Sequence, residues 1–174
     1  MSSTYAIVKT ELGWMALAGS GGRLGCLSLP QPARELAIQA ARTYAVDVIE
    51  SPDSFGDLPL RLQLYFQGEP VEFGDRVGVE DATDFQRAVW DATRLIPYGQ
   101  TRSYSWVAER VGKLRACRAV GNALARNPIP IVIPCHRVIA RDGGLGGFTG
   151  GLGMKARLLM LESRGSERAP RVQG

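Results

Sequence analysis

Residues 131–139 read Ile-Val-Ile-Pro-Cys-His-Arg-Val-Ile. The stretch places Cys135 beside His136, the only histidine of the chain, with Arg137 next to them and β-branched apolar residues on both sides. Cysteine attacks as its thiolate, and an ordinary thiol pKa of about 8.5 leaves only a few per cent ionised at neutral pH. A base or a positive field has to help. His136 is the available base, yet neighbours on an extended stretch point to opposite faces, so a bridging water or a local turn must connect it to the thiol. The imidazole in turn needs an acid to fix its tautomer, and Glu162, on a nearby helix, is the best-placed candidate. The plainer alternative is a buried structural cysteine, because free thiols commonly pack as small hydrophobes and residues 131–134 look like a buried strand. Pairing with the only histidine and an arginine favours the reactive reading.

Composition narrows the classes. The three cysteines, Cys26, Cys117 and Cys135, are scattered; an odd count without close spacing argues against a disulfide framework and fits a reducing compartment. One histidine and no CxxC pair leave little for a zinc site, so no metal is expected. The start lacks a signal-peptide pattern and no run of apolar residues is long enough for a membrane span, so a soluble protein inside the cell is expected. Charge is unevenly spread. Residues 1–83 carry six Lys/Arg against eleven Asp/Glu, a net of −5, whereas residues 84–174 carry fifteen against six, a net of +9. A polyanion-binding module joined to an acidic partner shows such a split, although a solvated surface with a basic tail shows it too.

Elements must position these groups. Residues 5–29 alternate and turn like a small antiparallel sheet, with strands at 5–8, 14–18 and 24–29 and a turn at Ser20-Gly21-Gly22. Pro30 ends it, and residues 33–45 read as a helix. Residues 51–57 are expected as loop, and residues 60–67 as a short helix with Leu62, Tyr65 and Phe66 on one face, ended by Gly68. Residues 70–82 lack periodicity and make the crossing to a second domain. Thr83 can cap a helix whose apolar stripe is Phe85, Val89, Ala92 and Ile96, ended by Pro97-Tyr98-Gly99.

Ser103 precedes a helix over residues 104–110, and after Gly112 a second runs from about 115 to 125. Two helices joined by a tight glycine turn match the helix-turn-helix pattern. On the second, Arg115, Arg118, Asn122 and Arg126 share a face at spacings of three and four. Cys117, Val120 and Leu124 fall on another, expected in the core, with Ala116, Ala119, Gly121 and Ala123 between. Small residues beside arginines let a helix approach a nucleic-acid groove; tight helix packing under a solvated arginine face gives the same pattern. Residues 141–153 hold seven glycines without the ending of a phosphate loop, suiting either close wrapping of a flat ligand or a flexible connector. A closing helix with Met154, Leu158 and Leu161 inward follows.

Pro134-Cys135-His136-Arg137-Val138-Ile139, with Arg118-Ala119-Val120-Gly121-Asn122-Ala123-Leu124-Ala125-Arg126-Asn127-Pro128-Ile129-Pro130-Ile131 before it and the glycines ahead of Leu161-Glu162 after it, resembles the O6-alkylguanine-DNA alkyltransferases. The likeness is strong over residues 83–162 and holds in outline over 4–80. It implies an α/β two-domain fold: a small ribonuclease-H-like N-terminal domain of antiparallel sheet and helices (1–75), a linker (76–82), a mainly helical C-terminal domain with a helix-turn-helix (83–164) and a flexible tail (165–174). It also implies direct-reversal DNA repair, in which the alkyl group of O6-alkylguanine moves irreversibly to Cys135 and stays there as a thioether. O4-alkylthymine is a further candidate substrate.

The resemblance further assigns roles. His136 acts through a water as base, held by Glu162. Arg118 enters the duplex in place of the extruded base; Arg115, Ala119, Asn122 and Arg126 meet the DNA from the same helix. Tyr104 presses on the 3′ phosphate and helps protonate guanine N3. Asn127 ties the helix to the active-site strand. The carbonyls of Cys135 and Val138 accept from the guanine amino group, Thr149 sits where O6 is met, and Phe148, Gly150 and Pro130 complete the pocket. The implied partner is double-stranded DNA bearing alkylated guanine, bound in the minor groove largely without sequence preference, by a monomer or cooperatively, with no membrane and no cofactor, in the cytoplasm or at a nucleoid. Physical chemistry agrees: the target atom is unreachable inside a duplex, an inserted side chain offsets lost stacking, and phosphate contacts supply sequence-independent, salt-sensitive affinity.

The sequence departs from the family pattern at a few positions. Phe148 stands where some members have tyrosine, Thr149 where serine is frequent, Leu114 where proline is frequent, and Cys117 where a small apolar residue is usual. Cys26 is the only remnant of a zinc site that some members carry. Rival readings are a lesion-binding protein that transfers nothing, which Cys135 speaks against, a helix-turn-helix regulator, and a cysteine hydrolase, for which no oxyanion donor array is visible.

Overall fold

The computed structural model of the protein describes residues 2–168. Its N-terminal layer is a four-stranded sheet in the order β3-β2-β1-β4. β1 (Ser3–Thr10) pairs antiparallel with β2 (Gly13–Ser20), and β3 (Arg23–Leu27) returns antiparallel on β2. Gly21 and Gly22 make the β2–β3 turn at φ of 59° and 71°, a conformation other residues reach only with strain. β4 (Val48–Glu50) lies parallel to β1, so the sheet is mixed, not the antiparallel one expected. A parallel neighbour needs a crossover, and α1 (Arg34–Tyr44) supplies it. Period-two alternation then divides the sheet's side chains. Tyr5, Ala16 and Ala18 pack on Ala37 and Ala41 of α1, while Ala6, Val8, Met15 and Leu17 face the main core.

Two expected loops carry structure. Pro52–Phe55 forms a single 3-10 turn, and α2 (Leu58–Phe66) begins two residues before the expected start, with Pro59 in its first turn where no N–H is needed. Residues 76–78 are more than a crossing. Leu24 N donates to Arg76 O and Gly78 N donates to Leu24 O, both at 2.8 Å, which covers part of the open edge of β3.

The C-terminal half follows the expected helices closely. α3 (Asp84–Arg94) starts with a capping box: Gln86 N donates to Thr83 Oγ1 at 3.2 Å and Thr83 N donates to Gln86 Oε1 at 2.9 Å. Val89, Ala92 and Ile96 are buried, Phe85 partly so. β5 (Arg102–Ser103) leads into α4 (Tyr104–Arg110), whose Trp106 N is capped by Ser103 Oγ at 3.1 Å. Gly112, at φ 70°, turns the chain toward α5 (Cys117–Ala125). α5 starts later than expected because Ala116 N is engaged with Lys113 O in a turn, so Arg115 precedes the helix. β6 (Val138–Ile139) pairs parallel with β5, and α6 (Leu152–Arg168) closes the chain.

α6 continues four residues past 164, into the tail expected from 165. Gly165 is buried there, and a Cβ in its place would run into Tyr98 Oη and Gly68 O. The rest of the expected tail, including Arg171, lies outside the described residues. One core runs through both halves, with Leu17, Leu62, Val89, Val107, Val120 and Leu158 in a single buried cluster. Among the described residues no helix is long and apolar enough to cross a membrane.

The capping box generates a stability prediction. Thr83→Ala removes the side-chain acceptor at the start of α3 and should cost about 1 kcal/mol, read as a lower urea midpoint at constant slope. An unchanged midpoint would show that tertiary contacts alone hold that helix end.

Candidate active site

The segment after α5 is bent rather than extended, correcting the buried strand expected at residues 131–134. Asn127 Oδ1 accepts from Ile129 N at 2.9 Å, Ile133 N donates to Ile129 O at 2.9 Å, and Ile131 between them sits at φ 75°. A β-branched residue is strained there; complete burial of the Ile131 side chain holds it in place. Cys135–Arg137 then forms one 3-10 turn. Side chains on such a turn are separated by about 120° rather than alternating between opposite faces.

Beneath this turn lies Glu162 of α6, 1% exposed. It accepts from His136 Nε2 at 2.7 Å, Tyr65 Oη at 2.8 Å, Arg137 Nε at 2.9 Å, Arg137 Nη2 at 3.0 Å and Gly99 N at 3.1 Å. Burial pushes its pKa up, but the hydrogen bond of His136 and the hydrogen bonds and charge of Arg137 outweigh that and bring it down to about 2. Arg137 also donates Nη1–H to Ile96 O at 2.7 Å. Burial lowers the pKa of His136 against the opposing pull of Glu162, so the imidazole is neutral at neutral pH. With Nε2 engaged by the carboxylate, the buried Nδ1 has no protein hydrogen-bond partner and is the nitrogen able to take a proton. Burial likewise raises the Cys135 thiol, only partly countered by Asn127 Nδ2, which donates to Sγ at 3.1 Å. The resting group is a thiol that needs a base.

Cys135 forms the floor of a cavity of about 790 Å³ walled by α4, α5 and the glycine-rich segment. Tyr104, Arg118, Asn122, Phe148 and Thr149 line it. Gly146 lacks the Cβ that would collide with the Tyr104 ring. This lets Tyr104 Oη accept from Gly147 N at 3.2 Å and donate to Gly147 O at 3.4 Å. Lys155, fully buried, donates to Val138 O at 2.6 Å and Gly147 O at 3.1 Å, pinning the glycine segment to β6. Burial lowers its pKa to about 8, against the pull of Cys135.

The other expected residues divide. Arg118 and Asn122 line the large cavity, and Ala119 is exposed on the same helix. Arg115 is exposed but off the helix, so it does not continue that face. Arg126, at the helix end, lines a different cavity of about 420 Å³ with Glu80 and Asp81. Cys117, expected inward, is exposed in the large cavity, because it opens α5 beyond the core that buries Val120 and Leu124. Asn127 joins the end of α5 to the turn that carries Cys135, donating to Ile133 O at 2.8 Å as well as to Sγ. The Val138 side chain is buried, leaving its carbonyl as its contact with Lys155. Thr149 donates Oγ1–H to Ala125 O at 2.9 Å. Gly150 and Pro130 line a further cavity of about 410 Å³ that shares Cys135 with the first.

Tyr65, Lys155 and the role of Arg137 were missed by sequence reasoning. A signal existed for Lys155: with Leu158 and Glu162 it follows the spacing of an inner helix face, where a charge must have a partner.

The family of the 6-O-methylguanine DNA methyltransferase DNA-binding domain matches residues 84–164. The methylated-DNA–protein-cysteine methyltransferase of Methanosarcina barkeri is 42% identical over 158 residues, covering 91% of this chain and 96% of that protein. Its counterpart in Mycobacterium bovis is 40% identical over 166 residues, covering 95% and 94%. Among solved structures, the Mycobacterium tuberculosis O6-methylguanine methyltransferase aligns with a TM-score of 0.77 at 38% identity, over 97% of this chain and 96% of that one. Mycobacterium tuberculosis OGT in complex with DNA aligns with a TM-score of 0.79 at 39% identity, over the same shares.

The depressed Glu162 carboxyl fixes a pH dependence. Its unfolded pKa of 4.5 exceeds the folded value of about 2, so its stabilisation is complete above the former and is lost as pH falls toward the latter. Glu162→Gln should cost about 3 kcal/mol at neutral pH by leaving Arg137 without its counter-charge, and should flatten the acid limb. Urea unfolding across pH 2–5 checks this; identical acid slopes in both proteins would remove Glu162 from its central place.

Proposed function

The chain belongs to the O6-methylguanine-DNA methyltransferase family, and we propose that Cys135 is its acceptor, activated by His136 on Glu162. The protein repairs alkylated DNA by direct reversal, moving the alkyl group onto a cysteine of its own. The observation that carries the residue assignment is that Cys135 lines the large cavity and shares one 3-10 turn with His136, whose Nε2 is held 2.7 Å from the Glu162 carboxylate.

The Cys135 proton passes through a water to His136 Nδ1, and Sγ attacks the alkyl carbon. The sulfur–carbon bond forms as the carbon–O6 bond breaks, its electron pair leaving with the guanine oxygen. Tyr104, held over the cavity by Gly147, protonates guanine at N3; solvent restores the phenol and takes the proton from His136. Nothing removes the thioether, so each molecule acts once. The carbonyls of Cys135 and Val138 accept from the guanine amino group, the latter while also holding Lys155.

DNA recognition follows from α4 and α5, read as a helix-turn-helix within a module of residues 83–164. Ala119 and Gly121 allow α5 to enter the minor groove closely, Arg118 fills the place of the flipped base, Asn122 contacts the strand, and Arg115 and Arg126 reach phosphates. The monomer binds duplexes largely irrespective of sequence, the target being O6-alkylguanine and, by the same geometry, O4-alkylthymine. The sheet order β3-β2-β1-β4 with β4 parallel to β1 supports a ribonuclease-H-like reading of the first 75 residues.

Mass spectrometry after mixing with a duplex carrying one O6-methylguanine should find a single methyl, on the peptide containing Cys135. Cys135→Ser should bind the duplex and gain none; a methyl on any other residue would reject the acceptor assignment. Arg118→Ala should slow repair of duplex DNA by about 10- to 100-fold, the rate equivalent of an unstacking cost of ~1–3 kcal/mol, and barely slow reaction with free O6-methylguanine base. Equal slowing of both would reject its role in extrusion.

A further inference from the structure

The two oxygens of Glu162 are loaded unequally. Oε1 accepts from His136 Nε2 at 2.7 Å, Tyr65 Oη at 2.8 Å and Arg137 Nη2 at 3.0 Å, while Oε2 takes Arg137 Nε at 2.9 Å and Gly99 N at 3.1 Å. A carboxylate oxygen has two lone pairs, so the three donors on Oε1 divide its negative charge among them. Tyr65 Oη also lies 3.4 Å from His136 Nε2. With the imidazole proton on that nitrogen, both hydrogens point at Oε1, and the phenol competes with the imidazole for one acceptor.

We propose that Tyr65 is a positioning residue for transfer: by taking a share of Glu162 Oε1, its hydroxyl weakens the carboxylate's hold on His136 and keeps the imidazole neutral until the thiol gives up its proton. The inference rests on His136 being the base for Cys135. A carboxylate bound to imidazole alone stabilises the imidazolium, and an imidazolium at rest cannot take the proton of a thiol. Other groups face the ring too. Glu162 and Lys155 come from α6, and Cys135 and Arg137 from its own turn; Tyr98, after α3, lies with its ring 5.8 Å from the Arg137 guanidinium. Burial, then Arg137 and Lys155, oppose a positive charge on His136, and Glu162 favours it. Arg137 also binds Oε1, but as the counter-charge that keeps Glu162 ionised. The neutral hydroxyl adjusts the bond without changing the charge.

The hydroxyl is held in this place from the N-terminal half. Tyr65 is wholly buried on α2, with its ring edge-on to Phe73 at 5.7 Å and to Tyr98 at 6.1 Å. Phe73 is fastened in turn. Arg94 Nη2 donates to its carbonyl at 3.2 Å, and Arg61 lies 5.6 Å from its ring while gripping Asp75 through hydrogen bonds of 2.9 and 2.6 Å. Burial and the Glu162 charge push the Tyr65 phenol well above its usual range, so it remains a donor at neutral pH.

His136 is the only histidine of the chain, so imidazole nuclear magnetic resonance reads it without ambiguity. Tyr65→Phe keeps the ring and removes the hydroxyl. The Nε2 proton should move downfield as its bond to Glu162 tightens, and the imidazole should titrate about one pH unit higher than in wild type, the worth of one hydrogen bond. The acid limb of single-turnover transfer from free O6-methylguanine should move to higher pH by the same amount. Replacing Tyr65 alone by 3-fluorotyrosine, a stronger donor that keeps both ring and hydroxyl, should move both midpoints the other way. It also provides the test if the phenylalanine variant fails to fold. An unchanged Nε2 proton and unchanged midpoints, with methyl transfer intact, would overturn the role of Tyr65 alone. An imidazole midpoint that moves while the transfer limb stays would show that the hydroxyl does not act on transfer through His136, which also overturns it. Absence of transfer to wild type would overturn the acceptor reading on which the inference rests.

Discussion

The site depends on a buried carboxylate that could not exist alone. An unpaired charge at the depth of Glu162 would protonate or force the structure open. Four residues prevent this, and they come from three separate parts of the chain: Tyr65 on α2, Gly99 after α3, and His136 and Arg137 on the turn that carries Cys135. Satisfying Glu162 therefore assembles the site, because its donors must arrive from three separate parts of the chain. The same carboxylate fixes the imidazole through Nε2 and leaves Nδ1 free to accept a proton. Arg137 balances the resting charge, so in the mechanism we propose the proton moved to His136 adds a positive charge as the sulfur becomes negative.

This arrangement makes the N-terminal half part of the candidate site. Tyr65 reaches Glu162 from α2, and residues 27–31 line a cavity shared with Cys135. The core passes without interruption from the sheet into α3, α5 and α6. The basic half holds the groups that would meet DNA, while the acidic half holds the floor beneath them.

What the sequence made legible was local. Thr83 and Ser103 carry their capping chemistry within three residues, so both helix starts were readable. The contact of His136 with Glu162 was readable because an imidazole held in one tautomer needs an acid partner. The parallel pairing of β4 with β1 was not, since it rests on three residues whose partner lies more than forty positions away. Neither was the bend at 129–133, where a buried isoleucine takes a backbone conformation that its own type disfavours. Cys117 was misplaced because helical phase says nothing of where the core ends. Tyr65 reads as an apolar face residue until its hydroxyl is seen to have a buried partner.

Lys155 has a consequence of its own. Held at a pKa of about 8 against an ordinary 10.5, it sheds its proton in the folded protein at a pH where the unfolded chain still keeps one. Folding is thus opposed by this residue at neutral pH, and the opposition fades as alkalinity rises. The neutral amine still has hydrogens for both carbonyls, so the glycine segment can stay pinned while the charge beside the sulfur disappears. The burial cost and the charge of Lys155 then respond together to hydroxide: alkaline solution relieves the cost of burying this residue while it removes a cation that favours the ionised form of Cys135.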